Sequence, residues 1–272
     1  MAAERSFLFV PGDRPERFSK ALSSGADRVI IDLEDAVAPD AKVVARENLV
    51  RWLGSPDARD IFVRINAVTT SWHDDDISAL VQLPHVVGLM LPKADPNAIA
   101  AMRAKMRVDV RLFGLIETVK GFTGLRAVAQ AKGLSRLAFG SVDFCLETGI
   151  ESLGAELDFV RAQLTIESCL AGLAAPIDGV TLDIKSLETL EADVIRAKNF
   201  GFGGKLCIHP AQVEAINRGF GPSAAQVEWA HRVIAAAQTG VGAVAVAVAV
   251  DGKLVDRPVV LQAEKILAAA PG

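Results

Sequence analysis

Val110-Arg111-Leu112-Phe113-Gly114-Leu115-Ile116-Glu117-Thr118 and, further on, Arg136-Leu137-Ala138-Phe139-Gly140-Ser141-Val142-Asp143-Phe144 are two apolar runs that each pass through a glycine and reach an acid. Short, nearly uninterrupted apolar runs suit strands buried on both faces, as in a parallel sheet wrapped by helices. Glu117 and Asp143 then sit where two strands finish, the end at which parallel α/β architectures build their sites. An acid at a strand exit also serves as a cap or first-turn residue of the helix that follows. The same placement in two successive runs favours a shared site.

Working outward, four more runs precede this pair, at Arg5–Val10, Arg28–Leu33, Ile61–Asn66 and Val86–Lys93, and two follow, at Ile177–Leu182 and Lys205–Pro210. Helical periodicity fills the intervals, for example over 15–22, 40–53, 74–82, 157–174 and 187–198. Eight strand-then-helix alternations predict an α/β fold, a TIM (β/α)8 barrel over residues 1–222, with a doubly wound open sheet as the alternative. Beyond it the pattern changes to a helix over 224–238, an apolar run over 243–250, Asp251-Gly252, a short run over 253–256 and a last helix over 258–269. Asp-Gly between two such runs signals a hairpin, so residues 223–272 are expected to form a C-terminal helical and hairpin extension. Its apolar character calls for packing on the barrel or on a neighbouring subunit.

The composition excludes several function classes. With 51% hydrophobic and 23% charged residues and a net charge of −4, the 272-residue chain carries no basic stretch for nucleic acid and no broad membrane-binding face. Cys145, Cys169 and Cys207 are odd in number and widely spaced, which suits a reducing cytoplasm better than a disulfide framework or a zinc site. The start Met1-Ala2-Ala3-Glu4-Arg5-Ser6 has no secretion-signal pattern, and the longest apolar segment, 241–250, is too short to span a bilayer.

Two carboxylates without nitrogen or thiolate partners point to a hard cation, Mg2+ or Mn2+. Arg64 lies inside an apolar run and so requires an acidic partner or an anionic ligand. Three acids in four residues, Asp32, Glu34 and Asp35, must be separated, paired or metal-bound. Ion pairing with Lys42, Arg46 or Arg64 is the expectation for two of them. His209 before Pro210 reads as structural, with general acid or base as the alternative. There is no G-x-S-x-G, Walker A or H-E-x-x-H pattern, and Gly201-Phe202-Gly203-Gly204 follows a helix, a poor setting for phosphate binding.

Taken together and in order, several motifs resemble the citrate lyase β-subunit-like group of the HpcH/HpaI aldolase and citrate lyase superfamily. They are Arg5-Ser6-Phe7-Leu8-Phe9-Val10-Pro11-Gly12, Asp32-Leu33-Glu34-Asp35-Ala36-Val37, Val63-Arg64-Ile65-Asn66, Leu91-Pro92-Lys93, Ile116-Glu117-Thr118, Phe139-Gly140-Ser141-Val142-Asp143 and Gly201–Pro210. The resemblance implies a TIM barrel, usually a homotrimer, that uses Mg2+ to break or form a carbon–carbon bond next to a coenzyme A thioester. It makes Glu117 and Asp143 the metal ligands, supported by Asp32, Glu34 and Asp35, and Arg64 the group that steadies the enolate oxygen. Arg14 and Lys20 match residues touching coenzyme A phosphates, and Gly140 and Ser141 are expected to line the substrate site. Asp256 resembles the acid that a C-terminal lid carries into a neighbour's site to move a proton at the acyl carbon. The implied substrates are malyl-CoA, citramalyl-CoA or citryl-CoA, yielding a 2-oxo acid and an acyl-CoA. An aldolase for free hydroxy-oxo acids and a non-catalytic carrier-binding subunit are the rival readings.

Overall fold

In the computed structural model, which describes residues 4–239, 249–251 and 253–270, the eight runs become eight parallel strands. These are β1 (Ser6–Pro11), β2 (Arg28–Asp32), β3 (Ile61–Arg64), β4 (Val86–Leu91), β5 (Arg111–Ile116), β6 (Arg136–Phe139), β7 (Ala174–Asp178) and β8 (Gly204–Cys207). Each strand pairs with the next, and β8 returns to β1 through Ser6 opposite Lys205, so the sheet closes. This is the TIM barrel the alternation predicts, not the open sheet.

β7 begins earlier than its apolar run suggests, at Ala174 and not Ile177. Pro176 hides the strand because it offers no N–H to the ladder, and the β6–β7 register shifts between Arg136 and Ala138 to accommodate the irregularity. Thr181 and Leu182 fall in the loop beyond the strand, where the run had extended it. The helices start where capping chemistry allows. Asp95 accepts from the N–H groups of Asn97 and Ala98 with Pro96 in the first turn of Pro96–Lys105, and Ser186 caps Leu187–Asn199.

The barrel interior is filled by Phe7, Ile30, Phe62, Met90, Phe113, Leu115, Ala138, Ile177 and Leu206, drawn from all eight strands. Gly88 on β4 makes room for this layer, because a Cβ there would stand 1.9 Å from a Phe62 ring carbon. At the opposite end from the strand exits, Glu4 pairs with Arg28 at 2.5 Å and Arg111 at 2.7 Å, and its carbonyl accepts from Arg136 at 3.2 Å. Burial works to raise the Glu4 carboxyl, but Arg111 and Arg28 outweigh it and hold the group below its usual value near 4.5.

Glu4–Asn217 form one compact unit and residues 218–270 a second. In the second, Ala224–Thr239 and Arg257–Ala269 are helices around buried Ala230, Val233 and Ala263. β9 (Ala249–Val250) and β10 (Lys253–Leu254) pair antiparallel, as a hairpin at Asp251-Gly252 requires. Asp251 takes φ 51°, a left-handed value suited to such a turn. Most of the apolar run over 243–250 lies outside the described residues. Among the described residues, no helix is long and apolar enough to cross a membrane.

Two stability measurements check this account. Gly88→Ala should cost at least about 2 kcal/mol in denaturant unfolding through overpacking, whereas Gly54→Ala, with 3.6 Å to the nearest atom, should stay within about 0.5 kcal/mol. Glu4 is a depressed carboxylate, so its contribution is present above its unfolded value and lost as pH falls through the folded one. The stability gap between wild type and Glu4→Gln should therefore be full at pH 7 and shrink below pH 4.5.

Candidate active site

β2 and β3 finish side by side, and their register sets Asp32 opposite Arg64. Arg64 Nε donates to Asp32 Oδ1 at 2.7 Å and Nη2 donates to Oδ2 at 2.6 Å, a two-pronged ion pair. Nη1 donates to Asp35 Oδ2 at 3.1 Å and stands 3.3 Å from Glu34 Oε2. The guanidinium also lies over the Phe9 ring, 4.7 Å from its centre. Asp32, Glu34 and Asp35 thus all gather on Arg64. Lys42 and Arg46 serve other groups: Lys42 donates to the carbonyls of Leu33 and Glu34, and Arg46 pairs with Asp75 and Asp76. Burial disfavours the Arg64 charge, but Asp32, Glu34 and Asp35 outweigh it and hold the group protonated.

Glu117 follows β5 directly, and Asp143 lies in the first turn of the helix Ser141–Thr148 that follows β6. The structure brings these two together with Asp35, one ligand atom of each lying within 4.8 Å of the others. Glu117 is 1% exposed and accepts from the backbone N–H of Lys93 at 2.8 Å. Lys93 can aim that N–H because it takes a left-handed φ of 49°, and its ammonium donates to Glu34 Oε1 at 3.1 Å. Gly140 leaves the space Glu117 occupies, since a Cβ there would come within 2.4 Å of Glu117 Cβ. Ser141 is buried against Gly179, where an added Cβ would meet its Oγ at 2.2 Å.

Burial, then the neighbouring charges of Glu34 and Asp143, push Glu117 up to about 8 against the opposing pull of Arg64. Burial likewise pushes Glu34 up to about 7, with Asp35 adding to the rise, and its Oε2 has no hydrogen-bond partner. Three closely spaced hard oxygen donors, with a buried carboxylate held partly protonated by its neighbours, fit a hard divalent cation. A cavity of about 350 Å³ opens on this cluster. It is lined by Asp32, Asp35, Arg64, Glu117 and Gly140 to Asp143, and by the apolar Phe9, Leu115, Phe139, Val180, Leu206 and Ile208.

Other expected residues lie elsewhere. Lys20 lines a second cavity with Arg17, His209, Phe9 and Ile208, and the last two also wall the first. Arg14 is not part of that lining; it lies at the start of the turn Pro15–Arg17, exposed and beside Asp13. His209 caps the turn Pro210–Gln212, its Nδ1 accepting from Ala211 N–H. Asp256, in the second unit, accepts from Val259 N–H and caps Arg257–Ala269. Sequence reasoning did not bring Lys93 to Glu117, nor group Asp35 with Glu117 and Asp143. The signal for Lys93 was its place at a strand exit before Ala94-Asp95-Pro96. Asp35 carried none of its own, because the chain bends after Asp32 and strand alternation no longer tells which way it faces.

A model of the HpcH/HpaI aldolase/citrate lyase family matches residues 5–210. The chain belongs to that family. A citrate lyase subunit beta-like protein of Mycobacterium tuberculosis is 36% identical over 273 residues, covering 98% of this chain and 95% of the relative. A (3S)-malyl-CoA thioesterase of Cereibacter sphaeroides is 33% identical over 272 residues, covering 98% and 94%. The crystal structure of M. tuberculosis protein CitE with magnesium, acetoacetate and coenzyme A superimposes with a TM-score of 0.85 at 32% identity, over 99% of this chain and 98% of that one.

The carboxylate cluster carries a stability consequence. The folded pKa of Glu117 is raised from 4.5 to about 8, so in divalent-free buffer stability should fall as pH climbs through that window. Glu117→Gln should reduce this slope, leaving the part that belongs to Glu34, and raise stability by about 2 kcal/mol at pH 8, read from thermal unfolding with a chelator present.

Proposed function

We propose that this protein is a Mg2+-dependent carbon–carbon lyase, or the reverse synthase, acting on a 3-hydroxyacyl-CoA thioester of the malyl, citramalyl or citryl type. The observation that carries the reading is the convergence of Asp35, Glu117, Asp143 and Arg64 on one cavity at the C-terminal ends of the strands. Asp35, Glu117 and Asp143 would hold the cation, with Mn2+ as the alternative ion. When bound, Mg2+ supplies Lewis-acid polarisation of the substrate's hydroxyl and carboxylate.

The remaining chemistry falls to the chain. The helix Ser141–Thr148 has no side-chain cap, and its first residues line the cavity, so its free backbone N–H groups suit a substrate carboxylate. Of the five N–H donors of Arg64, three serve Asp32 and Asp35 and one faces Glu34. The one left offsets the negative charge on the thioester oxygen as the carbon–carbon bond breaks. Asp256 is the group proposed to return a proton to the acyl carbon, carried by the lid segment over 223–272 from a neighbouring copy. Arg17 and Lys20 would meet the coenzyme A phosphates from the neighbouring cavity that they line. Asp32, Glu34 and Lys93 hold Arg64 and Glu117 in position. A cytoplasmic homo-oligomer, a homotrimer by family resemblance, completes the reading.

The thioesterase relative favours a second outcome at the same site, hydrolysis of the thioester with the carbon–carbon bond intact. Chromatography of coenzyme A products from malyl-CoA, citramalyl-CoA and citryl-CoA separates the two. The lyase reading expects a 2-oxo acid with acyl-CoA, suppressed at least about 100-fold by a chelator and by Asp143→Asn. Free coenzyme A with the intact hydroxy diacid would instead assign the thioesterase.

A further inference from the structure

The cavity at the acid cluster has two unlike kinds of lining. Asp32, Asp35, Arg64, Glu117, Asp143 and the uncapped start of the helix Ser141–Thr148 supply the charged and polar part. Phe9, Leu115, Phe139, Val180, Leu206 and Ile208 supply most of the rest, which is apolar. Among the described residues that line it, Arg64 is the one cation, and its guanidinium is already engaged by Asp32, Asp35 and Glu34. Lys93 does not line the cavity, and its ammonium is tied to Glu34.

These facts bear on which 2-oxo acid the site accepts. The 1-carboxylate and the 2-oxo group are served by the helix start and the cation held by the acids. What remains of the lining for the substituent beyond the oxo carbon is apolar. An alkyl substituent gains by leaving water there. A second carboxylate loses its hydration and finds no free counter-ion, only further carboxylates or hydrocarbon. Hydrogen in that position fills none of the space.

Resting on the lyase reading above, we propose that the site selects 2-oxo acids with a short alkyl substituent, and so cleaves thioesters of the citramalyl type in preference to the citryl or malyl type. The apolar wall at Val180 and Ile208 sets this choice. Val180 is partly buried against the barrel core and Ile208 is 41% exposed, so both can be changed without emptying the core.

Calorimetric titration of the Mg2+-loaded full chain with glyoxylate, pyruvate, 2-oxobutyrate and freshly prepared oxaloacetate tests the idea without relying on turnover. 2-Oxobutyrate and oxaloacetate are matched in length and differ by a methyl against a carboxylate. The expected result is at least tenfold tighter binding of 2-oxobutyrate than of oxaloacetate, with pyruvate ahead of glyoxylate. In Val180→Arg the ratio should move at least tenfold towards oxaloacetate. Ile208→Lys, at the more exposed position, should move it the same way and serves if the first variant does not fold. Equal or tighter binding of oxaloacetate by the wild type would overturn the selectivity while leaving the lyase reading intact. An unchanged ratio in both folded variants would overturn the role of this wall. Failure of every 2-oxo acid to bind would overturn the lyase reading, and the selectivity with it.

Discussion

The two-pronged pair between Asp32 and Arg64 is the interaction on which the rest of the site depends. It forms because two neighbouring parallel strands end in register, so an acid and an arginine meet at the barrel rim. Neither charge would be tolerable alone at that depth, with Asp32 1% and Arg64 9% exposed. Once paired, Arg64 also draws Glu34 and Asp35 inward, and Glu34 in turn holds the Lys93 ammonium. Lys93 closes the circuit by presenting its N–H to Glu117. Removing the arginine would therefore release acids on β2 and, through Glu34 and Lys93, the support of an acid on β5.

The charge balance of this circuit explains why a cation belongs there. With all groups ionised, Asp32, Glu34, Asp35, Glu117 and Asp143 bring five carboxylates, while the cations paired with them are Arg64 and Lys93. The excess of negative charge is what a divalent cation offsets. Without it, burial disfavours the charged form of these acids and their mutual repulsion adds to it, which is the physical meaning of the raised Glu117 and Glu34 values. A site tuned to bind a cation is thus a site that costs stability in its absence.

Much of this was legible in the amino-acid order because it depends on local pattern. Continuous apolar runs ending in Glu117 and Asp143 mark buried strands with acids at their exits, and eight such runs close a barrel. What escaped depends on turns and on packing. Pro176 concealed the start of β7, and the bend after Asp32 decided that Asp35 joins Glu117 and Asp143. The partners of Arg46 lie on a helix 29 and 30 residues away, a choice made by how helices pack around the barrel.

The apolar side of the cavity follows from the barrel itself. Leu115 and Leu206 belong to the core layer that fills the barrel, and they also form part of the cavity lining. The floor of the cavity is therefore the top of the hydrophobic core, and its character follows from the inward-facing alternation that folds the strands. A polar group introduced at Leu115 or Leu206 would have to be buried in that layer and would trade folding stability for any new recognition. Val180 and Ile208 lie past the ends of β7 and β8, where the chain has left the ladder, and there the lining can vary while the layer beneath stays apolar. Charge pairing across β2 and β3 fixes the acid-lined part of the cavity, core packing fixes its floor, and the loop residues are the part of the lining most free to vary.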